Sequence, residues 1–122
     1  VRVAHVPPPA GTLERARSQA LLGFIEYRLE EYEKARSLYE ESLATSLLSV
    51  RPDDRNLRLV YYNLGCLDAL GGEVDGALRW LDKAMQAGYD GDYIFDDPDL
   101  DPLRGHPTFE RMVREVKRRR AG

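Results

Sequence analysis

Apolar residues recur at spacings of three and four along most of this chain, which is the period of an amphipathic helix. No segment keeps the alternating pattern of a strand for long. The pattern therefore predicts an all-α fold. The predicted helical runs occupy residues 13–29, 32–47, 57–70, 74–85 and 107–119.

Residues with known end preferences mark where these helices begin and end. Thr12 is the expected N-cap of the first helix, and Asp53 or Asp54 is expected to cap the third. Pro52 ends the second helix, because the residue before a proline is pushed out of helical geometry. Gly88 is expected as the C-terminal cap of the fourth helix.

The segments outside the helices differ in composition. Residues 1–12 contain three consecutive prolines and predict an extended lead-in. Residues 89–105 contain two prolines and six aspartates and predict an irregular segment, hereafter the closing segment. We expect residues 13–122 to form a single domain, because a chain of 122 residues falls within the usual size of one.

Two stretches of the chain repeat the same order of small and large residues 42 positions apart. A glycine on the first helix of each copy would let its partner helix approach closely. One helix pair cannot bury its apolar face alone, so such pairs stack. The corresponding pairs are Leu22 and Leu64, Gly23 and Gly65, Ala35 and Ala77, and Tyr39 and Leu81.

The two copies, residues 16–49 and 58–91, resemble units of the tetratricopeptide repeat (TPR) family. The stretch from Gly88 to Phe109 is similar to the segment that closes many bacterial TPR arrays. The chain departs from the family pattern at Glu26 and Asp68, where an aromatic residue is preferred, and its spacing exceeds the usual value of about 34. The resemblance implies a TPR-like α-solenoid of two helix-turn-helix repeats and a C-terminal capping helix. We expect the extra residues to lengthen the second helix of the first repeat.

The resemblance also implies a concave groove, lined by the first helix of each repeat, that holds a ligand. Only Asn63 matches the asparagine and lysine set with which some members hold a terminal carboxylate, so a chaperone tail is not expected. The apolar, aromatic groove with its few arginines suits an apolar peptide or helix instead. The predicted groove residues are Arg17, Leu21, Phe24, Tyr27, Arg28, Leu59, Tyr62, Asn63 and Cys66.

Few residues of the sequence suit catalysis or metal binding. Cys66 is the only cysteine and has no base evident beside it, which a nucleophile would need. His5 and His106 belong to no ligand pattern. The aspartates of the closing segment lack the spacing of a calcium loop. We therefore expect no enzyme, no cofactor and no metal.

The charge distribution and the hydropathy of the chain disfavour two classes of partner, membranes and nucleic acids. No apolar run approaches the roughly 18 residues of a membrane span, so no membrane partner is expected. The net charge is −3, and an acidic stretch at 89–103 precedes a basic one at 104–122. This layout does not favour nucleic-acid binding. We expect the tail Lys117–Arg120 to be a solvated helix end.

Two functions fit this sequence. The first is a cytoplasmic protein–protein interaction module or scaffold, which could belong to a longer chain, with Phe24, Tyr27 and Tyr62 as aromatic anchors. The second is a homo-oligomerisation unit whose groove is buried between copies. The identity of the partner cannot be predicted from the sequence, because the fold constrains function only to binding.

Overall fold

The computed structural model describes residues 10–48 and 54–122, and in these residues all regular structure is helical. This confirms the all-α prediction. Residues 1–9 of the proline-rich lead-in lie outside the described residues. The α-helices are α1 (Thr12–Arg28), α2 (Tyr32–Ser46), α3 (Arg55–Leu70), α4 (Val74–Gln86) and α5 (Pro107–Ala121). The closing segment contains two short 3-10 helices, Asp92–Phe95 and Pro98–Leu103.

The chain divides into two compact units, Val1–Arg51 and Pro52–Gly122. In the first unit α1 packs against α2. In the second, α3 packs against α4, and the closing segment and α5 complete the unit. The single domain expected over residues 13–122 stays a prediction. The fully or almost fully buried core of the second unit includes Leu64, Leu81, Ile94, Leu100, Leu103, Phe109 and Val116.

A glycine on the first helix of each pair sets the closest approach to the second helix. A Cβ atom placed on Gly23 would lie 3.0 Å from the ring of Tyr39. A Cβ atom on Gly65 would lie 2.9 Å from the side chain of Leu81. The 42-residue repeat is therefore present in three dimensions, because corresponding residues make corresponding contacts in the two helix pairs.

The same correspondence holds where the first helix of each pair ends. The backbone N–H of Glu31 donates to the carbonyl of Glu26 at 2.9 Å, and 42 positions later Glu73 donates to Asp68 at 2.8 Å. Each of these turns needs one residue with a left-handed backbone. In the second unit that residue is Gly72, with φ 78°, whereas in the first unit it is Glu30, with φ 61°.

The predictions of helix ends are correct in part. Asp54 caps α3 as expected, and its carboxylate accepts hydrogen bonds from two backbone N–H groups of the first turn. Thr12 does not cap α1: it is the first helical residue and is buried, and the N-cap is Gly11. Glycine adopts the left-handed backbone, φ 82°, that the chain has at this point.

The extra residues of the first repeat do not lengthen α2 as expected. The helix ends at Ser46 and has 15 residues, compared with 13 in α4. Most of the extra length therefore lies in the connection between the two units. The final helix extends two residues beyond the predicted end at position 119.

Candidate protein-binding surface

One face of α1 is apolar and exposed. Of the five predicted groove residues on this helix, Arg17, Leu21, Phe24 and Arg28 are exposed and follow one another at steps of four, three and four. This spacing places them on one side of the helix. The exposed fractions of Leu21 and Phe24 are 61% and 48%. The fifth residue, Tyr27, is half-buried.

Sequence reasoning missed a second apolar stripe that widens this face. Leu22, Ile25 and Leu29 are 50%, 44% and 66% exposed. Leu22 corresponds to Leu64 in the repeat, yet Leu64 is fully buried. Both apolar stripes of α1 have the period of a helix. The period alone therefore does not show which stripe packs against α2. We call the two stripes together the exposed α1 face.

The predicted groove residues on α3 have a different environment. Leu59 is exposed and Asn63 half-buried, whereas Tyr62 and Cys66 are buried. The hydroxyl of Tyr62 donates to Asp97 Oδ2 at 2.8 Å. The Sγ atom of Cys66 lies 3.7 Å from the same oxygen. The closing segment of the chain itself thus occupies this part of α3.

Tyr62, Cys66 and Tyr89 form a cluster that remains protonated. The rings of Tyr62 and Tyr89 stack with centroids 4.7 Å apart. Burial raises the pKa of all three side chains, and the negative charge of Asp97 raises it further. Cys66 is therefore a neutral thiol, whereas a nucleophilic cysteine needs to be a thiolate.

Asp97 and Arg104 fix the path of the closing segment. The Oδ1 atom of Asp97 caps the second 3-10 helix by accepting from the backbone N–H of Asp99 at 3.0 Å. Arg104 donates to the carbonyls of Asp97 and Ile94 at 3.0 and 3.3 Å. Its guanidinium lies 5.5 Å from the ring centre of Phe109. Neither role was predicted, because an irregular segment has no period that pairs its residues with a helix.

The basic tail also contacts the closing segment. Arg119 donates to the carbonyl of Tyr89 at 2.8 Å, and Arg120 donates to the carbonyl of Asp90 at 2.8 Å. The side chain of Arg119 is only 27% exposed. The expectation of a solvated helix end is therefore wrong for Arg119, whereas Arg120 is exposed as expected. Each arginine donates a hydrogen bond to a backbone carbonyl of the closing segment, which is rich in aspartate.

In residues 10–48 and 54–122, no three His, Cys, Asp or Glu side chains are grouped so that they could hold a metal ion. None of the helices in the described part of the chain is long and apolar enough to cross a membrane.

The sequence of this chain is similar to those of known proteins. A family model described as tetratricopeptide repeat matches residues 14–88, which contain most of α1 and all of α2 to α4. A chloroplastic protein of Arabidopsis thaliana is 31% identical over 80 residues, which are 63% of this chain and 24% of that protein. The chain thus spans about a quarter of the length of this relative. No solved structure matches the chain significantly.

Proposed function

Because the chain belongs to the tetratricopeptide repeat family, we propose that it is a non-catalytic module that binds another protein through the exposed α1 face. Repeats of this family generally mediate protein–protein interaction. The observation that carries the proposal is the exposure of large apolar side chains on α1 and at its C-cap, Leu29. Those residues are Leu21, Leu22, Phe24, Ile25 and Leu29, each 44–66% exposed.

The chemistry of this face defines the kind of ligand that suits it. Leu21 and Phe24 stand in the middle, where apolar and aromatic anchors contribute most to binding. Arg17 and Arg28 lie about 16 Å apart along the helix axis, at 1.5 Å per residue. An amphipathic helix with an apolar stripe and an acidic residue opposite at least one of the two arginines would suit this face.

The predicted positions on α3 have a smaller part in the proposal. Leu59 is exposed and Asn63 half-buried on the second unit, and their part in binding stays a separate prediction. A ligand would reach Tyr62 and Cys66 only after displacing Asp97 from its hydrogen bonds. The absence of enzyme activity and the cytoplasmic location stay predictions.

Site-specific photo-crosslinking in the native cell tests the proposal. A photoreactive benzoylphenylalanine replaces Phe24 and, in a matched control, Leu48, which is 68% exposed on the same unit but lies outside the exposed α1 face. We expect protein adducts from position 24 and few or none from position 48. Mass spectrometry then identifies the adduct.

The variant Leu21→Glu/Phe24→Glu provides the second half of this test. It should abolish crosslinking from a photoreactive group at position 25, while Leu47→Glu/Leu48→Glu, with the same charge change at exposed leucines, should not. Circular dichroism checks that both variants keep the helix content of the parent. Equal adduct yields at positions 24 and 48 would contradict the proposal.

A further inference from the structure

A row of exposed residues along one side of α1 has the spacing of a helix–helix seam and shares Leu21, Ile25 and Arg28 with the exposed α1 face. Five exposed residues follow one another at alternating steps of four and three, so the pattern repeats every seven residues. An apolar seam with this repeat faces a second helix in a coiled coil. Here Leu21 and Ile25 form the apolar middle of the seam. The seam lies opposite Ala16 and Gly23, which are buried. The seam residues are Glu14, Ser18, Leu21, Ile25 and Arg28.

The two ends of the seam carry opposite charges. Glu14 lies seven residues before Leu21, and Arg28 lies seven residues after it. A parallel pair of such helices would place like charges side by side. An antiparallel pair related by a two-fold axis at Leu21 would place Glu14 of each helix opposite Arg28 of the other.

The sizes of the side chains fit the same arrangement. With the axis at Leu21, Ser18 of one helix lies opposite Phe24 of the other, so a small residue faces a large one. Ile25 lies opposite Arg17, whose aliphatic stem can cover it. An interface with a two-fold axis must be complementary to itself. The pair Glu14 and Arg28 meets that requirement in charge, and the pair Ser18 and Phe24 meets it in size.

We propose that the exposed α1 face binds the α1 helix of a second copy of this chain, antiparallel, with the two-fold axis at Leu21. The inference rests on the proposed function, because it names the helix that this face binds. The contact is isologous, so it closes at a dimer. One helix pair buries less surface than a standard interface, so the dimer is expected to dissociate on dilution.

A charge-swap series tests this arrangement by sedimentation equilibrium, from micromolar to near-millimolar protein. The parent chain should approach twice its mass of 13.9 kDa. Glu14→Arg or Arg28→Glu alone replaces two attractive contacts by two repulsive ones and should weaken the dimer by about tenfold or more. The double variant Glu14→Arg/Arg28→Glu should restore it. An equimolar mixture of the two single variants should form a heterodimer.

A disulfide crosslink tests the position of the axis. Leu21→Cys should form a disulfide-linked dimer under mild oxidation, because the two copies of this residue meet at the axis. Glu33→Cys, exposed on α2, is the matched control and should not. The natural Cys66 is buried with a raised pKa and does not compete for oxidation.

The outcomes distinguish this inference from the proposed function. A parent chain that stays monomeric at every concentration overturns the inference, and so does a dimer that both single charge reversals leave unchanged. Heterologous adducts from position 24 on a monomeric chain would uphold the proposed function and overturn the second copy as its partner. Adducts at twice the chain mass, together with rescue by the double variant, support both.

Discussion

The hydroxyl of Tyr62 donates a hydrogen bond to the carboxylate of Asp97 at 2.8 Å, across 35 positions of the sequence. The same oxygen is the acceptor for the thiol of Cys66, and the other oxygen caps the 3-10 helix that follows. One carboxylate therefore both orders the local turn and ties it to α3.

Removing the carboxylate should destabilise the second unit. Asp97→Ala leaves the hydroxyl of Tyr62 buried without its acceptor, and we expect a loss of about 1–3 kcal/mol in the free energy of unfolding. Trp80 is the only tryptophan and lies in the second unit, so its fluorescence during urea titration measures this loss. Asp97→Asn keeps an acceptor oxygen and should lose less. Equal losses in the two variants would show that the hydrogen bond to Tyr62 is not the cause.

Alkaline pH should destabilise the second unit. Tyr62, Cys66 and Tyr89 have raised pKa values in the folded state, so above pH 9–10 the unfolded chain loses protons that the folded chain retains. Stability is therefore full below pH 9 and falls as the pH rises, by up to about 1.4 kcal/mol per pH unit for each group.

Urea titrations between pH 8 and 11 measure this slope. Cys66→Ala and Tyr62→Phe should each reduce it, because each removes one group that must release its proton on unfolding. Tyr93→Phe replaces an exposed tyrosine of the same segment and should leave the slope as it is. A parent chain whose stability is constant to pH 11 would contradict the prediction.

The close approach of α3 and α4 should not tolerate a methyl group. Gly65→Ala places a carbon 2.9 Å from Leu81, and we expect a loss of about 1–3 kcal/mol. The double variant Gly65→Ala/Leu81→Ala should lose less stability than the two single variants lose together, because the smaller side chain at position 81 makes room for the added methyl group. Gly71→Ala is the control: its added carbon would lie 3.6 Å from the nearest atom, so little change is expected. Trp80 fluorescence follows all of these variants.

The turn after α1 should be improved by a single substitution. Glu30 adopts a left-handed backbone, φ 61°, which costs a residue with a Cβ atom more than it costs glycine. Glu30→Gly should stabilise the first unit by about 0.5–1 kcal/mol after the added freedom of the unfolded chain is subtracted. Hydrogen exchange of the α1 and α2 amides measures the gain.

The second unit supplies the control for that turn. Gly72 occupies the corresponding position, so Gly72→Ala should destabilise the second unit by a similar amount, as Trp80 fluorescence would show. If exchange in α1 and α2 is as fast in Glu30→Gly as in the parent, the backbone at this position is not strained.

Local features of the fold could be predicted from the sequence, and pairings between distant segments could not. Asp54 could be identified as a cap because its partners are two and three residues away. The repeat could be identified because contacts such as that of Gly65 with Leu81 depend on residue sizes at a fixed offset. The bond between Tyr62 and Asp97 joins a helix to an irregular segment, and no periodic signal links the two.

The candidate surface shows the same limit. The groove residues on α1 were predicted to be accessible and four of the five are exposed, because the family pattern fixes which side of a helix meets its partner helix. Burial of Tyr62 and Cys66 depends on where the closing segment crosses α3. The hydrogen bonds of Arg104 and Asp97 set that path, and no pattern in the sequence indicates these bonds.

The last turn of α5 belongs to the folded second unit, although the apolar stripe of this helix ends earlier, at Val116. A shortened chain that stopped after Val116, the last residue of the apolar stripe, would keep every apolar side chain of the core. It would nevertheless lose Arg119 and Arg120, which hold the carbonyls of Tyr89 and Asp90. Truncation boundaries drawn from hydrophobicity would thus release the start of the closing segment, about thirty residues upstream of the cut.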